Sequence, residues 1–231
     1  MAICADSNSN MNDCELHKES EMSFCPLFNS KNIESIYIEK DALYKCLGDG
    51  VDSVEFLSLK GNNLHFIEAK GTIPRKTEIK KPARMYKERE LKPYNEANLD
   101  TYFEDWTCDE LKQYTKWKIK HEKLEKFSQE LYDKMNHSLN LIAAKELEIE
   151  KHTSQSIPKW LKESLSQKKI FFVLIVNEVL DKENPEYKEK VANYLGMKAK
   201  LDSKFQALKE IWGIDIKVYH KAQAKKKGFI A

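Results

Sequence analysis

The sequence predicts an α/β fold in which helices cover a mixed sheet. A β-hairpin is predicted at 52–59 and 63–71, because strand formers flank a turn at 60–63 whose Gly and Asn tolerate positive φ. The continuous apolar run at 170–176 predicts a strand that is covered on both faces. A long helical pattern between them supplies the crossover that parallel strands need. The element order, strand, hairpin, helix, strand, helix, strand, therefore predicts an α/β sandwich.

The other elements follow from the spacing of apolar residues. A short strand is predicted around Ile36 and Ile38. Apolar residues recur at three- and four-residue steps over 109–150 and over 186–212, which predicts two long helices. Alternation over 214–218 predicts a last strand. On the second helix, six side chains are predicted to face inward: Val191, Leu195, Leu201, Phe205, Leu208 and Trp212.

Length and composition are those of one sizeable domain. The chain has 231 residues, of which 41% are apolar, so a real core can form. Residues 1–22 are polar and lack periodicity, and we expect a mobile leader there, or a weak helix near 15–21. Residues 23–231 then form a single domain. Within that domain, 72–105 is irregular and basic, and we interpret it as a loop.

Charge and cysteine content exclude some classes of protein. The formal net charge is only +2, so an argument for nucleic acid must rest on local clusters. The five cysteines include no CxxC pair, which indicates reduced thiols in a cytoplasmic protein. We expect no signal peptide and no membrane association, because the longest apolar run falls far short of the roughly 20 residues that a membrane helix needs.

The hairpin brings two carboxylates together. If 61 and 62 are the turn residues, Glu55 lies opposite Glu68 and Ser53 lies opposite Lys70, and opposed side chains share a face. Like charges directly opposite each other are destabilising, and the neighbouring residues are apolar. A bound cation would relieve this repulsion, and Mg²⁺ or Mn²⁺ suits carboxylate oxygens. The ordinary alternative is a surface ladder of ion pairs.

The segment FIEAKG at 66–71 resembles the (D/E)xK strand of the PD-(D/E)XK, or restriction-endonuclease-like, superfamily. The element order also resembles that family's αβββαβ core. The resemblance implies that Glu55 and Glu68 are metal ligands, that the Ala69 carbonyl is a further ligand, and that Lys70 is the catalytic lysine. Asp52 is the alternative acidic ligand if a bulge reverses the strand. The VEF and IEAK strands, with the later SLNL stretch, also resemble a group of uncharacterised bacterial proteins.

A basic segment follows the predicted catalytic strand. Residues 75–92 contain eight Lys or Arg and three Glu, with Tyr86 inside and Tyr94 close by. Such a segment can follow a phosphate backbone while tyrosine rings stack on bases. A solvated loop is the equal alternative. The residues predicted to contact nucleic acid are Arg75, Lys76, Lys80, Lys81 and Arg84.

Three further polar residues have two interpretations each. Ser138 and Asn140 interrupt an apolar helical stretch, and we favour local helix packing over a role in orienting a ligand at the hairpin. His65 alternates onto the face away from Glu68. We therefore expect His65 to be a partly buried sheet residue and not a metal ligand.

These features predict a Mg²⁺- or Mn²⁺-dependent nuclease that acts on DNA in preference to RNA, and family habit suggests host defence. A catalytically silent module that binds nucleic acid or protein is the first alternative. A helical interaction protein that uses the charged face of 109–150 is the second. A homodimer and a protein partner or activator stay open.

Overall fold

The computed structural model describes residues 17–19, 22–24, 33–38, 52–74, 106–146, 165–178, 180 and 182–230. The chain divides into two compact units, a division that the sequence pattern does not indicate. The first comprises Met1–Ile73 and Ser128–Ala231, and the second comprises Pro74–Phe127. None of the helices in the described ranges has the length and apolar composition needed to cross a bilayer.

The first unit contains a five-stranded mixed sheet. Its strands are β3 (Ile33–Tyr37), β4 (Phe56–Lys60), β5 (Asn63–Lys70), β6 (Lys169–Val176) and β7 (Asp215–His220), in that spatial order. The pairs β3–β4 and β4–β5 are antiparallel, whereas β5–β6 and β6–β7 are parallel. The mixed α/β class predicted from the sequence is therefore confirmed.

The hairpin register is the predicted one. Lys60 pairs with Asn63 and Phe56 pairs with Ile67, and Gly61 in the turn has φ +58°. A positive φ at this position favours glycine because an L side chain there is strained. The first strand of the hairpin, β4, however begins at Phe56, whereas the sequence predicts its start at 52.

Side chains alternate between two covered faces of this sheet. One face buries Phe56, Ile67, Ala69, Val173 and Ile175 in a cluster that also contains Met22, Phe24, Ala224 and Ile230. Met22 and Phe24 belong to a second, two-stranded sheet, in which β1 (His17–Glu19) pairs with β2 (Met22–Phe24). The weak helix considered for 15–21 is therefore wrong at 17–19. Apart from 17–19 and Met22, the predicted leader lies outside the described residues.

The opposite face of the sheet is covered by longer helices. The helices in the described ranges are α1 (Cys108–Glu146), α2 (Tyr187–Lys204), α3 (Gln206–Trp212) and α4 (Lys221–Lys227), with a short 3₁₀ helix at Leu165–Gln167. From Ser128 onward α1 belongs to the first unit and buries Leu131, Met135, Leu139 and Ile142. The predicted amphipathic helix at 109–150 is thus found within a few residues of its expected ends.

The second predicted helix is interrupted at Phe205. This residue separates α2 from α3, and its side chain is fully buried. Its ring packs 5.0 Å from Phe172 on β6 and 5.6 Å from Tyr132 on α1, measured between ring centroids. Tertiary packing at Phe205 therefore overrides a continuous helical pattern. The predicted inward orientation of Leu195 is also wrong, since that side chain is 65% exposed.

The second unit is described at Pro74 and from Trp106 to Phe127. A capping box starts α1 there: the Thr107 hydroxyl accepts from the Glu110 N–H, and the Glu110 carboxylate accepts from the Thr107 N–H at 2.8 Å. Aromatic rings follow along the helix, and the Trp117 and His121 rings stack at 4.9 Å between centroids. Most of the predicted basic loop at 72–105 lies outside the described residues.

Candidate active site

The candidate site lies where the parallel strands end. Lys70 on β5 pairs with Val176 on β6, and Val176 pairs with His220 on β7, so the three strands finish at one edge of the sheet. Glu68 and Lys70 are two residues apart on β5 and therefore share a face. This is the face covered by α1, because Lys134 and Glu130 of that helix contact Glu68 and Lys70.

Glu68 is a fully buried carboxylate in this cluster. Its Oε1 lies 2.8 Å from Lys134 Nζ and 3.0 Å from Lys70 Nζ. Its second oxygen, Oε2, is buried and has no hydrogen-bond partner among the described residues. Burial raises the pKa of the Glu68 carboxyl, and the ammonium groups of Lys134 and Lys70 offset that effect only in part. An added cation or donor at Oε2 would therefore relieve a real desolvation cost.

Glu55 immediately precedes β4 and lies beside the same end of β5. Its side chain is 3% exposed, and its carboxylate accepts a hydrogen bond from the Ala69 N–H. The predicted register puts Val54 opposite Ala69, but the Val54 N–H donates instead to Ser138 Oγ at 3.0 Å. The Glu55 carboxylate and the Ser138 hydroxyl group thus accept from the Ala69 and Val54 N–H groups, which would otherwise have continued the hydrogen bonding between β4 and β5. That exchange explains why β4 begins only at Phe56.

Two lysines neutralise most of the charge in the cluster. Burial alone would lower the pKa of Lys70, but Glu68 and Glu130 outweigh it and raise that pKa. The Lys134 pKa is likewise raised, with Glu68 as the main opposing charge and Glu55 as a smaller one. Both amines are therefore protonated at neutral pH. Among these five described groups, three are carboxylates (Glu55, Glu68 and Glu130) and two are ammonium groups.

The predicted alternative ligand, Asp52, has a different environment. It is exposed, and its carbonyl oxygen lies 3.1 Å from His137 Nδ1. Within the described ranges no three His, Cys, Asp or Glu side chains are grouped so that they could hold one metal ion. Asp52 therefore does not join Glu55 and Glu68 in such a group.

Ser138 contacts the hairpin, contrary to the favoured interpretation of local helix packing. It is fully buried, accepts from the Val54 N–H and donates to the Lys134 carbonyl at 2.7 Å. Asn140 is exposed. His65 is partly buried on the far face, where its ring stacks on Phe171 at 5.2 Å between centroids, and burial lowers the pKa of its imidazole. The expectation that His65 is a partly buried sheet residue is confirmed.

Sequence reasoning missed Lys134 and Glu130. Their i,i+4 spacing is typical of an exposed ion pair along one helix, so neither stood out. A signal was nevertheless present, because Lys134 lies between Leu131 and Ser138 at steps of three and four within the buried row. The residues predicted to contact nucleic acid, Arg75, Lys76, Lys80, Lys81 and Arg84, lie outside the described residues.

Comparison with known proteins adds no assignment. No protein-family profile, curated protein or solved structure matches the chain. The function must therefore be argued from the residues of the site.

Proposed function

We propose that the chain is a metal-dependent nuclease that hydrolyses phosphodiester bonds, with DNA preferred over RNA. One observation carries the proposal. Two buried carboxylates, Glu55 and Glu68, lie at the end of β5 that carries Lys70, and the Glu68 Oε2 atom has no partner among the described residues. A fold tolerates buried charge of this kind when a ligand compensates for it.

The arrangement of strands supports the resemblance to the PD-(D/E)XK superfamily. Three antiparallel strands are followed by a helix and then by a strand that runs parallel to β5. Glu68 and Lys70 are among the last three residues of β5, as the (D/E)xK motif requires. Fold analogy by itself does not establish activity, so the chemistry of the cluster must carry the argument.

The side chains fit a hard divalent ion. Mg²⁺ is commonly held by one or two carboxylates, with water and substrate phosphate as the other ligands. Glu55 and Glu68 would hold Mg²⁺ or Mn²⁺ here, with the Ala69 carbonyl as the third protein ligand that the resemblance implies. When bound, the ion would lower the pKa of a water ligand and offset charge on the phosphate.

The lysines have separate roles in this proposal. Lys70 is protonated and partly exposed, so its amine can stabilise charge that develops on a phosphate at the edge of the sheet. Lys134 is more deeply buried and holds the Glu68 Oε1 atom. We assign Lys134 to positioning the carboxylate. Its ammonium group also competes with a metal ion for Glu68.

The test is cleavage of a panel of DNA and RNA substrates in Mg²⁺ or Mn²⁺. Lys70→Ala should lose roughly a hundredfold to a thousandfold in cleavage rate, because it removes a preorganised electrostatic group. Substrate affinity and folding should change little, since the group acts mainly in the transition state. Lys60→Ala is the matched control, because Lys60 is an exposed lysine of the same hairpin.

A double variant of the basic segment should show the opposite behaviour. Lys80→Ala with Lys81→Ala should weaken nucleic-acid binding in a salt-dependent way, because phosphate contacts release counterions. If wild type cleaves nothing with either metal, and Lys70→Ala and Lys60→Ala bind nucleic acid equally, the nuclease proposal fails.

A catalytically silent binding module is the second candidate function. The contact of Lys134 with Glu68 favours it, because an internal ammonium group can satisfy a buried carboxylate without a metal. Under this proposal, wild type binds nucleic acid or protein and no variant of the cluster alters any cleavage. A role in host defence rests on analogy alone.

A further inference from the structure

A cavity of about 390 Å³ lies between α2 and the end of β7. This volume is within the range of roughly 300–1,000 Å³ that is usual for small-molecule sites. The cavity combines aliphatic, aromatic and cationic side chains, and no carboxylate is among the described residues that line it. Its lining includes Lys182, Val191, Tyr194, Lys198, Val218 and His220.

The cavity is on the same face and the same edge of the sheet as the candidate active site. Val218 pairs with Leu174, which pairs with Glu68, and directly paired residues of neighbouring strands share a face. Strands in a sheet are about 4.8 Å apart, so β7 lies roughly 10 Å from β5. In open α/β sheets, ligands bind outside the carboxyl ends of parallel strands.

Tyr194 lines this cavity and carries an unsatisfied hydroxyl group. The residue is only 7% exposed, and its hydroxyl group is buried with no hydrogen-bond partner among the described residues. Burial, reinforced by the charge of Glu178, raises the pKa of Tyr194, so the phenol stays protonated. A buried hydroxyl without a partner is uncommon and costly, and a ligand acceptor would complete it.

The other lining groups define the chemistry of the ligand. Burial lowers the pKa of His220, so its imidazole is neutral at physiological pH and stands edge-on to Tyr194. Val191 and Val218 offer apolar contact to a flat ring. Lys182 and Lys198 offer positive charge, although Lys198 also pairs with Asp202.

We propose that this cavity binds a nucleoside monophosphate. The base would lie against the aliphatic and tyrosine side chains, with its polar edge toward Tyr194, and the phosphate would face Lys182 and Lys198. A free mononucleotide and the end nucleotide of a strand present the same chemistry. The proposal does not depend on the nuclease assignment, because none of these residues belongs to the Glu55, Glu68 and Lys70 cluster.

The test is titration calorimetry of the full chain with adenosine 5′-monophosphate, adenosine and inorganic phosphate. The monophosphate should bind more tightly than adenosine or phosphate alone. Tyr194→Phe keeps the ring and should weaken monophosphate binding about fivefold to tenfold through loss of one hydrogen bond. Lys182→Ala should weaken it in a salt-dependent way. Lys188→Ala is the control, since Lys188 is an exposed lysine of α2 that does not line the cavity.

Two results would overturn the proposal: no binding of the monophosphate at millimolar concentration, or equal affinity in wild type and Tyr194→Phe. A competition experiment distinguishes a free mononucleotide from the end nucleotide of a strand. An oligonucleotide whose end nucleotide occupies the cavity is displaced by the monophosphate. Glu68→Ala should lose any cleavage and keep monophosphate binding. Failure of this proposal is therefore distinguishable from failure of the nuclease proposal.

Discussion

Lys134 is a charged residue on the buried face of α1. It is 9% exposed and forms the shortest ion pair to Glu68. Lys70 contacts the same Glu68 oxygen and leaves Oε2 without a partner among the described residues. A carboxylate with two ammonium groups on one oxygen and none on the other is unevenly compensated. The lysine therefore stabilises the protein without a metal, and under the proposed function it would compete with one.

The variant Lys134→Met tests both consequences. Loss of one partner of a buried ion pair should cost about 1–3 kcal/mol of unfolding free energy, because Lys70 still faces Glu68. A divalent ion that binds only the native state raises stability by mass action. Millimolar Mn²⁺ should therefore raise the melting temperature more in Lys134→Met than in wild type.

The control is Lys126→Met, since Lys126 is an exposed lysine of α1. Its stability should stay within about 0.5 kcal/mol of wild type, as is usual for surface substitutions. Thermal melting in EDTA and then in Mn²⁺ measures both effects. If Lys134→Met is as stable as the control and responds no more to Mn²⁺ than wild type, the assigned role of Lys134 is wrong.

At this scale, sequence reasoning predicted residues whose geometry is local. Gly61 and Asn62 fix the turn, and the turn fixes which residues of the two strands face each other. Glu55, Glu68 and Lys70 could therefore be nominated together. Lys134 lies 66 residues from Glu68 in the chain. No local pattern determines which helical side chain crosses to the hairpin.

Between elements, one hydroxyl group joins α1 to the hairpin. Ser138 Oγ accepts from the Val54 N–H at 3.0 Å and donates to the Lys134 carbonyl. The helix turn that carries Lys134 is thereby held over the residue that precedes Glu55. The geometry of the candidate site consequently depends on this contact.

Ser138→Ala should destabilise the protein by about 1–3 kcal/mol, because it leaves a buried backbone N–H without its acceptor. Asn140→Ala, an exposed position on the same helix, should change stability by less than about 0.5 kcal/mol. Urea unfolding measures both. Equal stability of the two variants would show that this contact does not hold the helix to the hairpin.

Element boundaries were predicted less well than element types. The sequence pattern does not foresee that β4 begins at Phe56, because side chains from Glu55 and Ser138 replace the strand partners there. Nor does it foresee the interruption at Phe205, which follows from packing against Phe172 and Tyr132. Both departures arise from contacts between segments far apart in the chain.

For the whole molecule, two chemically different features share one edge of the sheet. The glutamate and lysine cluster lies at the end of β5, and the cavity with Tyr194 and His220 lies at the end of β7. The mixed topology makes this possible, because neighbouring strands have their carboxyl ends at the same edge of the sheet only when they are parallel. The predicted order of elements was sufficient to place the first feature. The cavity required the three-dimensional packing of α2 on β7.

The central claim is that Glu55 and Glu68 form a divalent-metal site. The most direct measurement is anomalous diffraction from crystals soaked in Mn²⁺. We predict a Mn²⁺ peak bonded to Glu68 Oε2 and to a carboxylate oxygen of Glu55, and no such peak in Glu68→Ala crystals. A map without a peak there at saturating Mn²⁺, with Lys134 still in contact with Glu68, would contradict the claim.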